Sequence, residues 1–455
     1  TNSAVLNAYI HTEMARTLYR GEDKMRAGGF DRPMLVVHAN GGNARVAKTI
    51  ALNTLHSGPA VAARGAAALA KQLKLGQVVT TDMGGTSLDV SIIQGGNEKF
   101  TVNPSIDGVP VATPMIEVES IGAGGGSIAK IASGSLRVGP ESAGAAPGPA
   151  CYGKGGLEPT VTDANLLLGF IDPENFLGGR MRLDGRAAER MIKRSVAEKL
   201  KISAKEASVQ IRRKINDQMG AELRKRLDVQ EGASIATTLF SFGGSGPLHA
   251  CSVAEAAGIS KIISFPFGSV FSAFGSNTTN VQHTYSRTLG IPLKQLNIAD
   301  DLIDLFREQA LTDMEGEGFK SGDIKFAIKA DLKIGGGSRT LSASGRHTKI
   351  SQLIKKANIG RASIDAIHCR AECEVPHWAP LGAKQKTKSV PKPKSSRDVC
   401  WDSDGEKRTN VFERSALKYG HQINGPALIE APDTAYAINP GWRLVVDQYG
   451  NFVMS

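Results

Sequence analysis

Residues 78–93 constrain the fold of this chain more than any other stretch. An apolar run ends in Thr-Thr-Asp-Met, a Gly-Gly pair follows, and residues 86–93 begin with two hydroxyls before they alternate. This pattern predicts two adjacent strands joined by a tight reversal, and taken alone it is explained by a plain hairpin. It also suits a phosphate loop, because glycines let backbone N–H groups approach a phosphate and the carboxylate of Asp82 can hold Mg²⁺ or orient water.

Two further glycine-rich elements favour the phosphate-loop interpretation. Residues 122–127 read Gly-Ala-Gly-Gly-Gly-Ser, and residues 243–247 read Gly-Gly-Ser-Gly-Pro between an apolar strand at 236–242 and a helix from Leu248. Backbone amides and a helix N-terminus at such a junction favour phosphate or a nucleoside. Neither element has the spacing of a dinucleotide fingerprint or a Walker loop. Together the three elements resemble the second phosphate loop and the adenosine loop of the actin, sugar-kinase and Hsp70 superfamily of ATPases.

Composition narrows the classes of protein to which the chain can belong. Its 455 residues suffice for two or three domains, and 41% hydrophobic with 22% charged residues is an ordinary globular balance. Aromatic residues make up only 5%, which argues against a base-stacking platform, and no base-reading motif occurs. No apolar run approaches the ~18 residues of a membrane helix. We therefore expect neither a nucleic-acid nor a membrane partner.

The chain carries a net charge of +11, and part of the surplus lies in one Ser/Pro-rich stretch. The basic residues of this stretch are Lys384, Lys386, Lys388, Lys392, Lys394 and Arg397. A solvated loop explains such a stretch, and so does a docking site for an acidic partner subunit. The five cysteines are odd in number and scattered, which indicates a reducing cytoplasm rather than a disulfide framework.

The hydrophobic pattern changes character near residue 290. Before this point, the strand at 236–242, its loop and helix, and a short strand at 261–263 form a unit typical of an α/β layer. After it, one helical segment precedes a series of alternating strands. We therefore predict two domains, an α/β core at 1–290 and a strand-rich α+β domain at 291–455 that contains the basic loop at about 384–397.

The order of short motifs along residues 1–290 is similar to that of the hydantoinase A/5-oxoprolinase family. The motifs are ANGG at 39–42, SGPA at 57–60, DMGGTS at 82–87, GAGGGS at 122–127, GPESAG at 139–144, PGPACYG at 147–153, TVTDAN at 160–165 and FGGSGPLH at 242–249. The strand NGPALIE at 424–430 also fits the C-terminal domain of this family.

The resemblance implies an α/β fold made of ribonuclease-H-like, actin/hexokinase-type ATPase lobes without the family's N-terminal segment, followed by a strand-rich C-terminal domain. It implies ATP and Mg²⁺ as cofactors. Asp82 would be the catalytic carboxylate or would orient Mg²⁺-bound water. The nucleotide-binding residues that the resemblance implies are Gly84, Gly85, Thr86, Ser87, Gly124, Gly125, Gly243, Gly244, Ser245 and Gly246.

Members of this family use ATP to phosphorylate an enolate, a carbonyl oxygen or bicarbonate before carboxylation or hydrolysis. Residues 272–285 look more like the ketone carboxylases, so the resemblance favours a cytoplasmic subunit of an acetone or acetophenone carboxylase-like enzyme. The alternatives are a subunit of an ATP-dependent cyclic-amide hydrolase, like N-methylhydantoinase or 5-oxoprolinase, and a non-catalytic nucleotide-binding scaffold. The implied partners are a chain or fragment that supplies the first phosphate loop, a hydantoinase B-type subunit, and a small ketone or cyclic amide as substrate.

Two positions depart from the family pattern. Leu88 stands where Thr is usual, and Ala146 stands where an Asp commonly precedes Pro-Gly-Pro-x-Cys. If that Asp is a metal ligand in relatives, this chain has lost it.

Three residues near these motifs are candidates for binding Zn²⁺. Cys151, Asp163 and His249 offer a thiolate, a carboxylate and an imidazole, which suit this ion, and packing in the core is the alternative. A second cluster at 368–377, with the pattern His-Cys-x₃-Cys-x₃-His, lacks a familiar zinc spacing and is better explained by packing.

Overall fold

Two interleaved units make up the chain in the computed structural model, which describes residues 2–101, 104–106, 108–111, 113–228, 236–335, 337–401 and 405–455. The first unit comprises Thr1–Ser57, Val102–Met115 and Thr278–Trp378. The second unit comprises Gly58–Thr101, Ile116–Asn277 and Ala379–Ser455. Each unit draws on segments that are far apart in sequence, and the domain boundary near residue 290 stays a prediction.

The first unit is built on a six-stranded sheet. The strands lie in the order Leu35–Val37, Asn43–Arg45, Val281–Pro292, Ser363–Cys373, Ile324–Ile334 and Gly337–Ser344, and a separate pair joins Ser105–Ile106 to Val109–Pro110. The helices are Asn2–Ala27, Leu296–Gly316 and Ile350–Lys356, with 3₁₀ turns at Val46–Lys48, Ala51–Thr54, Leu293–Gln295 and Ser321–Asp323. Every second side chain from Ile324 to Leu332 is buried, and these side chains share a core with Leu296–Gly316.

The second unit contains a nine-stranded sheet that carries the glycine turn. The strands lie in the order Glu119–Ile121, Leu88–Gln94, Gln77–Met83, Thr237–Phe242, Ile262–Ser264, Phe452–Met454, Arg443–Val446 and Gln422–Asn424, with Asn97–Glu98 beside Leu88–Gln94. Gln77–Met83 runs parallel to Thr237–Phe242 and antiparallel to Leu88–Gln94. Asp82 therefore lies beside Phe242 at the carboxyl ends of two parallel strands, where α/β sheets commonly bind ligands.

The remaining elements of the second unit surround this sheet. The helices are Ser57–Gln72, Val161–Leu167, Gly185–Ile192, Glu198–Leu200, Ala204–Asp228, Gly246–Ala257 and Phe271–Ser276, with a π-helical turn at Lys193–Ala197 and 3₁₀ turns at Ala150–Tyr152, Gly268–Val270 and Arg414–Ala416. A hairpin pairs Ser127–Ala132 with Ser135–Ser142, and a second sheet contains Ser395–Trp401, Gly405–Glu413, Ala427–Glu430 and Ala435–Ile438. Phe100–Thr101 and Met115–Ile116 are further two-residue strands.

Helices cover both faces of the nine-stranded sheet, which confirms the predicted α/β class. Val79, Leu88 and Val90 share a core with the helices Ala204–Asp228 and Gly246–Ala257. On the opposite face, side chains of the same strands pack with the alanines of Ser57–Gln72 and with a cluster of phenylalanines. This partition follows from the two-residue period of a strand. Leu88 is buried, so the departure from Thr at this position contributes packing.

Candidate functional site

Asp82 is the last residue but one of the strand Gln77–Met83 and lies directly across the antiparallel register from Asp89. Burial, with a smaller contribution from the nearby Asp89 carboxylate, raises the pKa of Asp82 to about 6. Asp89 was not among the site residues predicted from the sequence, although the length of the reversal indicates that it pairs with Asp82. A reversal at 84–87 pairs residue 83 with residue 88, and the next pair outward is 82 with 89. Two carboxylates at this spacing favour a bound cation or a shared proton.

In the turn after Asp82, neither backbone conformation nor packing against the described residues requires glycine at positions 84 and 85. Gly84 donates its N–H to the carbonyl of Ser87 at 3.2 Å, which closes the turn. Neither Gly84 nor Gly85 has a positive φ. Among the described residues, no atom lies within 4 Å of the position that a Cβ would take at either glycine. The space above the turn is therefore open for a ligand to contact the backbone.

The loop 122–127 packs against the back of this turn. Gly125 and Gly126 donate their N–H groups to the carbonyls of Gly84 and Gly85, at 3.1 and 2.6 Å. A Cβ on Gly124 would lie 2.7 Å from backbone atoms of Gly85 and Thr86. Glycine at 124 is thus required by close backbone packing, and its role is to support the turn.

The third glycine element lies against Asp82 itself. Gly243 has a φ of +83°, and a Cβ there would lie 2.4 Å from the carbonyl oxygen of Met83 and 2.6 Å from Oδ1 of Asp82. Ser245 donates its N–H to the carbonyl of Met83 at 2.9 Å. The helix Gly246–Ala257 begins directly after it, so the positive end of its dipole lies beside the turn.

A cavity of about 300 Å³ opens where these elements meet. One end is lined by glycine backbone and hydroxyl groups, contributed by Gly84, Gly85, Gly125, Thr162, Gly244 and Ser245. Another part of the wall is apolar and includes Tyr152, Phe170, Ile171, Phe176 and Leu177. The segment 430–435 completes the lining. The N–H groups of Gly84, Gly125 and Ser245 are donated to carbonyls of the protein, so among the described residues of this end the N–H groups of Gly85 and Gly244 are the ones open to a ligand. An aromatic and aliphatic wall accompanies them, as in sites for small molecules with one polar end.

The structure brings half of the ten predicted nucleotide-binding residues to this cavity. Gly84, Gly85, Gly125, Gly244 and Ser245 line it. Asp82, Gly124, Gly243 and Gly246 lie directly behind these residues, and Thr86 and Ser87 complete the turn. The apolar wall was not predicted from the sequence, because its four residues at 170–177 meet Tyr152 only in the folded chain. A groove of about 710 Å³ elsewhere in this unit contains none of the predicted residues.

Asp163, predicted as a metal ligand, is instead committed to backbone and hydroxyl donors. Its carboxylate accepts from the N–H groups of Ala150, Cys151 and Thr160 and from the hydroxyl of Thr160, at 2.7–3.2 Å. Thr160 and Asp163 form a capping box at the start of Val161–Leu167, which the spacing Thr-x-x-Asp could have indicated. Burial and the Asp163 carboxylate hold the pKa of the Cys151 thiol far above its usual range, so this side chain is a neutral thiol.

His249 is also held by protein partners. Its Nε2 accepts from the amide of Asn165 at 3.0 Å, and its Nδ1 donates to Oδ1 of Asn216 at 2.6 Å. Burial and the Arg212 guanidinium lower the pKa of His249 well below its usual value, so the ring is neutral. Within the described ranges, no group of three or more His, Cys, Asp or Glu side chains is arranged to hold a metal ion. The structure therefore does not bring the three predicted zinc ligands together.

The cluster at 368–377 is divided among different partners in the first unit. His368 bridges the hydroxyl of Ser286 and the carboxylate of Asp331, at 2.8 and 2.9 Å. Cys369 and Cys373 are buried in the sheet core. These contacts agree with the packing interpretation of the cluster.

The nine-stranded sheet, its helical layers and the glycine elements define an α/β protein of the actin/hexokinase ATPase type with a strand-rich C-terminal region. Two solved structures match over the whole of this chain. A nucleotide-free acetone carboxylase matches with a TM-score of 0.85 at 21% identity, covering 69% of that chain. The ATP-dependent caprolactamase from Pseudomonas jessenii matches with a TM-score of 0.81 at 29% identity, covering 70% of that chain.

The chain belongs to the hydantoinase/oxoprolinase family. Residues 1–285 match the Hydantoinase/oxoprolinase family model, and residues 364–454 match the Hydantoinase/oxoprolinase C-terminal domain. The acetophenone carboxylase gamma subunit of Aromatoleum aromaticum is 32% identical over 99% of this chain and 66% of its own length. The caprolactamase subunit alpha of Pseudomonas jessenii is 32% identical over 100% of this chain and 69% of its own length. The chain thus spans about two thirds of the length of these relatives.

Within the ranges that the structure describes, no helix is long and apolar enough to cross a bilayer.

Proposed function

We propose that the cavity beside Asp82 binds MgATP and that the chain is a subunit of an ATP-dependent ketone carboxylase. The observation that carries the proposal is the open space above Gly84 and Gly85. Among the described residues, neither a protein contact nor a positive φ requires glycine at these positions. A phosphate that contacts the backbone there would explain why these residues are glycines, because any Cβ would occupy the space of the phosphate.

The residues present fit a nucleotide with its metal. The N–H groups of Gly85 and Gly244 and the hydroxyl of Ser245, near the N-terminus of Gly246–Ala257, suit phosphate oxygens, and the apolar wall suits an uncharged ring. Mg²⁺ prefers oxygen ligands, and Asp82 with Asp89 would hold it or its water molecules. The hydroxyls of Thr86 and Ser87 lie in the same turn and would assist in holding the phosphates.

ATP supplies a phosphoryl group that, transferred to the oxygen of an enolate or of bicarbonate, prepares that molecule for carbon–carbon bond formation and releases ADP. Such transfer depends mostly on positioning and on stabilising charge. The chain would provide both through fixed backbone donors, which cost no reorganisation when charge develops. Asp82 would be ionised when a cation is bound beside it, since an opposite charge favours the carboxylate form.

Hydrolysis of a cyclic amide is the second candidate function. It is supported by the caprolactamase subunit alpha, which is as similar to this chain as the acetophenone carboxylase gamma subunit is, at 32% identity. Both names are those of subunits, so we propose that the active assembly includes further chains, among them a hydantoinase B-type subunit that contacts the substrate. We also propose that a second lobe, in the same or another polypeptide, supplies the first phosphate loop.

Nucleotide titration tests the first step of this proposal. Calorimetry of the purified chain with MgATP, alone and together with the proteins that copurify with it, should detect binding at one site. Omission of Mg²⁺ should weaken the binding, because the two carboxylates then face the phosphates without a cation. If neither preparation binds MgATP, the proposal is wrong.

A second experiment separates carboxylation, hydrolysis and a scaffold role. The assembly that binds MgATP is incubated with acetone or acetophenone and ¹⁴C-bicarbonate, or with caprolactam or 5-oxoproline. Ketone-dependent ADP release with ¹⁴C in an acid-stable product supports the carboxylase. Amide-dependent ADP release with a ring-opened product supports the hydrolase. MgATP binding with no substrate-dependent ADP release in an intact assembly assigns the chain a non-catalytic role.

A further inference from the structure

We propose that Ser286 is a nucleophilic serine that takes the acyl group of small activated esters. Its hydroxyl oxygen lies 2.8 Å from Nδ1 of His368, and Nε2 of the same ring lies 2.9 Å from Oδ2 of Asp331. A hydroxyl, an imidazole and a carboxylate linked in this order form the arrangement that activates a serine in unrelated folds. None of the three residues lines the cavity beside Asp82.

Adjacent strands of the six-stranded sheet carry Ser286, His368 and Asp331, and Ser286 is directly opposite His368 in the antiparallel register. Ile367 and Cys369, on either side of His368 in sequence, are buried in the core of the first unit. Since successive side chains of a strand point to opposite faces, His368 and its partners lie on the face away from this core. Ser286 is exposed there, whereas the side chain of His368 is only 19% exposed, so a reagent reaches the hydroxyl while the base is shielded.

The carboxylate determines which ring nitrogen of His368 carries the proton. The hydrogen bond from His368, and another that the hydroxyl of Thr340 donates to Oδ1 at 2.6 Å, hold the pKa of Asp331 below its usual value, so this side chain is ionised. An ionised carboxylate only accepts, so Nε2 donates to it and Nδ1 accepts from the hydroxyl of Ser286. Either ring nitrogen can serve as the base once the other holds the proton. A base is therefore in place to take the proton of Ser286.

A lysine without a salt bridge lies in the same row of side chains. Lys329 is directly opposite His368 in the register, on the side away from Ser286. Among the described residues, no carboxylate lies within salt-bridge distance of its ammonium group. Adjacent strands are about 4.8 Å apart, so the flexible four-carbon stem of Lys329 can extend across His368 towards Ser286. A positive charge at this place stabilises the negative charge that develops on an attacked carbonyl oxygen.

The proposed step is the transfer of an acyl group to Ser286. The Oγ of Ser286 bonds to the carbonyl carbon of the ester while its proton moves to Nδ1 of His368. The bond from that carbon to the leaving oxygen then breaks, and the leaving alcohol takes the proton from Nδ1. Water repeats both steps on the acyl-serine, which releases the carboxylic acid and restores the serine. Because the site lies on an exposed sheet face, we expect reaction with esters that have a good leaving group, such as phenyl esters of short acids.

Reaction of the full chain with p-nitrophenyl acetate tests the proposal. Release of p-nitrophenolate is followed by absorbance, and the acetylated residues are identified and timed by mass spectrometry of proteolytic fragments. Ser342 is the matched internal control, because it is also exposed and lies directly opposite Lys329 on the same face, but it has no imidazole partner among the described residues. Nucleotide is absent from the assay, so the outcome is independent of the proposed function.

We expect Ser286 to be acetylated at least tenfold faster than Ser342, and Ser286→Ala but not Ser342→Ala to remove the fast release of p-nitrophenolate. His368→Gln should slow acetylation of Ser286 by about a hundredfold or more, since a positioned general base contributes about 10²–10⁴ in rate. The slow acetylation of Ser342 should be unchanged in this variant, which shows that the sheet is intact. Equal acetylation of the two serines, or an unchanged rate at Ser286 in His368→Gln, overturns the proposal.

Asp331 acts through His368 and is a positioning residue. Asp331→Asn should slow acetylation of Ser286 by at least tenfold and leave that of Ser342 unchanged. In ¹⁵N NMR spectra of the His368 ring, assigned with His368→Gln, the single Nε2–H tautomer should give way to a mixture of both tautomers. A ring that keeps the Nε2–H tautomer and a serine that keeps its rate would show that the carboxylate does not orient the base.

Discussion

Replacement of Gly85 by Ala distinguishes a ligand-contacting glycine from a structural one. No described atom lies within 4 Å of the Cβ that Gly85→Ala adds, and the φ of Gly85 is compatible with Ala. The folded state therefore accommodates the methyl group without strain. Because Ala restricts the unfolded chain more than Gly does, we expect the free energy of unfolding to stay equal or to rise by about 0.4–1 kcal/mol.

The ligand, in contrast, should lose affinity. Gly85 lines the cavity, so the new methyl group occupies space that a bound phosphate needs. Overpacking by one methyl group costs about 1–3 kcal/mol, which corresponds to about a 5- to 150-fold higher Kd for MgATP. Thermal unfolding without nucleotide and calorimetric titration with MgATP measure the two quantities on the same protein.

Gly185→Ala serves as the matched control for this prediction. Gly185 begins the helix Gly185–Ile192, no described atom lies within 4 Å of its Cβ position, and it does not line the cavity. We expect unchanged affinity and equal or higher stability. If Gly85→Ala binds MgATP as tightly as the unmodified chain, or if its stability falls together with its affinity, the explanation that Gly85 makes room for a bound phosphate is refuted.

Three further substitutions test other parts of the site. Gly124→Ala should destabilise the chain by about 1–3 kcal/mol in urea unfolding, because its Cβ meets backbone atoms at 2.7 Å; an unchanged midpoint would contradict the packing role. Asp82→Asn should raise the free energy of unfolding at pH 7.5 by up to about 3 kcal/mol, because burial and Asp89 raise the pKa of Asp82 to about 6. The ionised form costs stability fully above pH 6 and not below about pH 4, so the gain should vanish at pH 4, and a gain that is equal at both pH values would contradict this cause. Arg212→Met should cost at least about 2 kcal/mol by leaving two buried oxygens without their donor, whereas exposed Arg213→Met should change stability by less than about 0.5 kcal/mol; equal effects would show that the buried network contributes nothing.

The network behind Arg212 also contains partners of His249 that the zinc prediction did not foresee. Arg212 donates to Oδ1 of Asn165 at 2.7 Å and to the carbonyl of Leu248 at 2.8 Å, while the amide of Asn165 donates to His249. These residues join three helices, and the chemistry of an isolated His or Asn in a sequence gives no sign of such partners. Long-range pairing of this kind is fixed only when the helices pack.

The sequence by itself determined the local features of the site. The reversal at 84–87, the flanking strands and a helix after the third glycine element follow from hydrophobic period and glycine placement, which act over a few residues. This helix was predicted from Leu248 and begins at Gly246. The partner of Asp82 was also within reach, because the length of the turn sets the pairing with Asp89. The order of the motifs indicated the family, and membership of that family predicted the fold.

Only the tertiary structure decided which glycines face open space and which pack against neighbouring backbone. Gly85 and Gly124 are indistinguishable in the sequence, yet one faces open space and the other lies against backbone. The same holds for the basic residues, since Lys394 pairs with Glu430 whereas Lys392 stays exposed. In each case the difference depends on which distant segment occupies the neighbouring space. That choice is made by the packing of the whole chain, which no local pattern encodes.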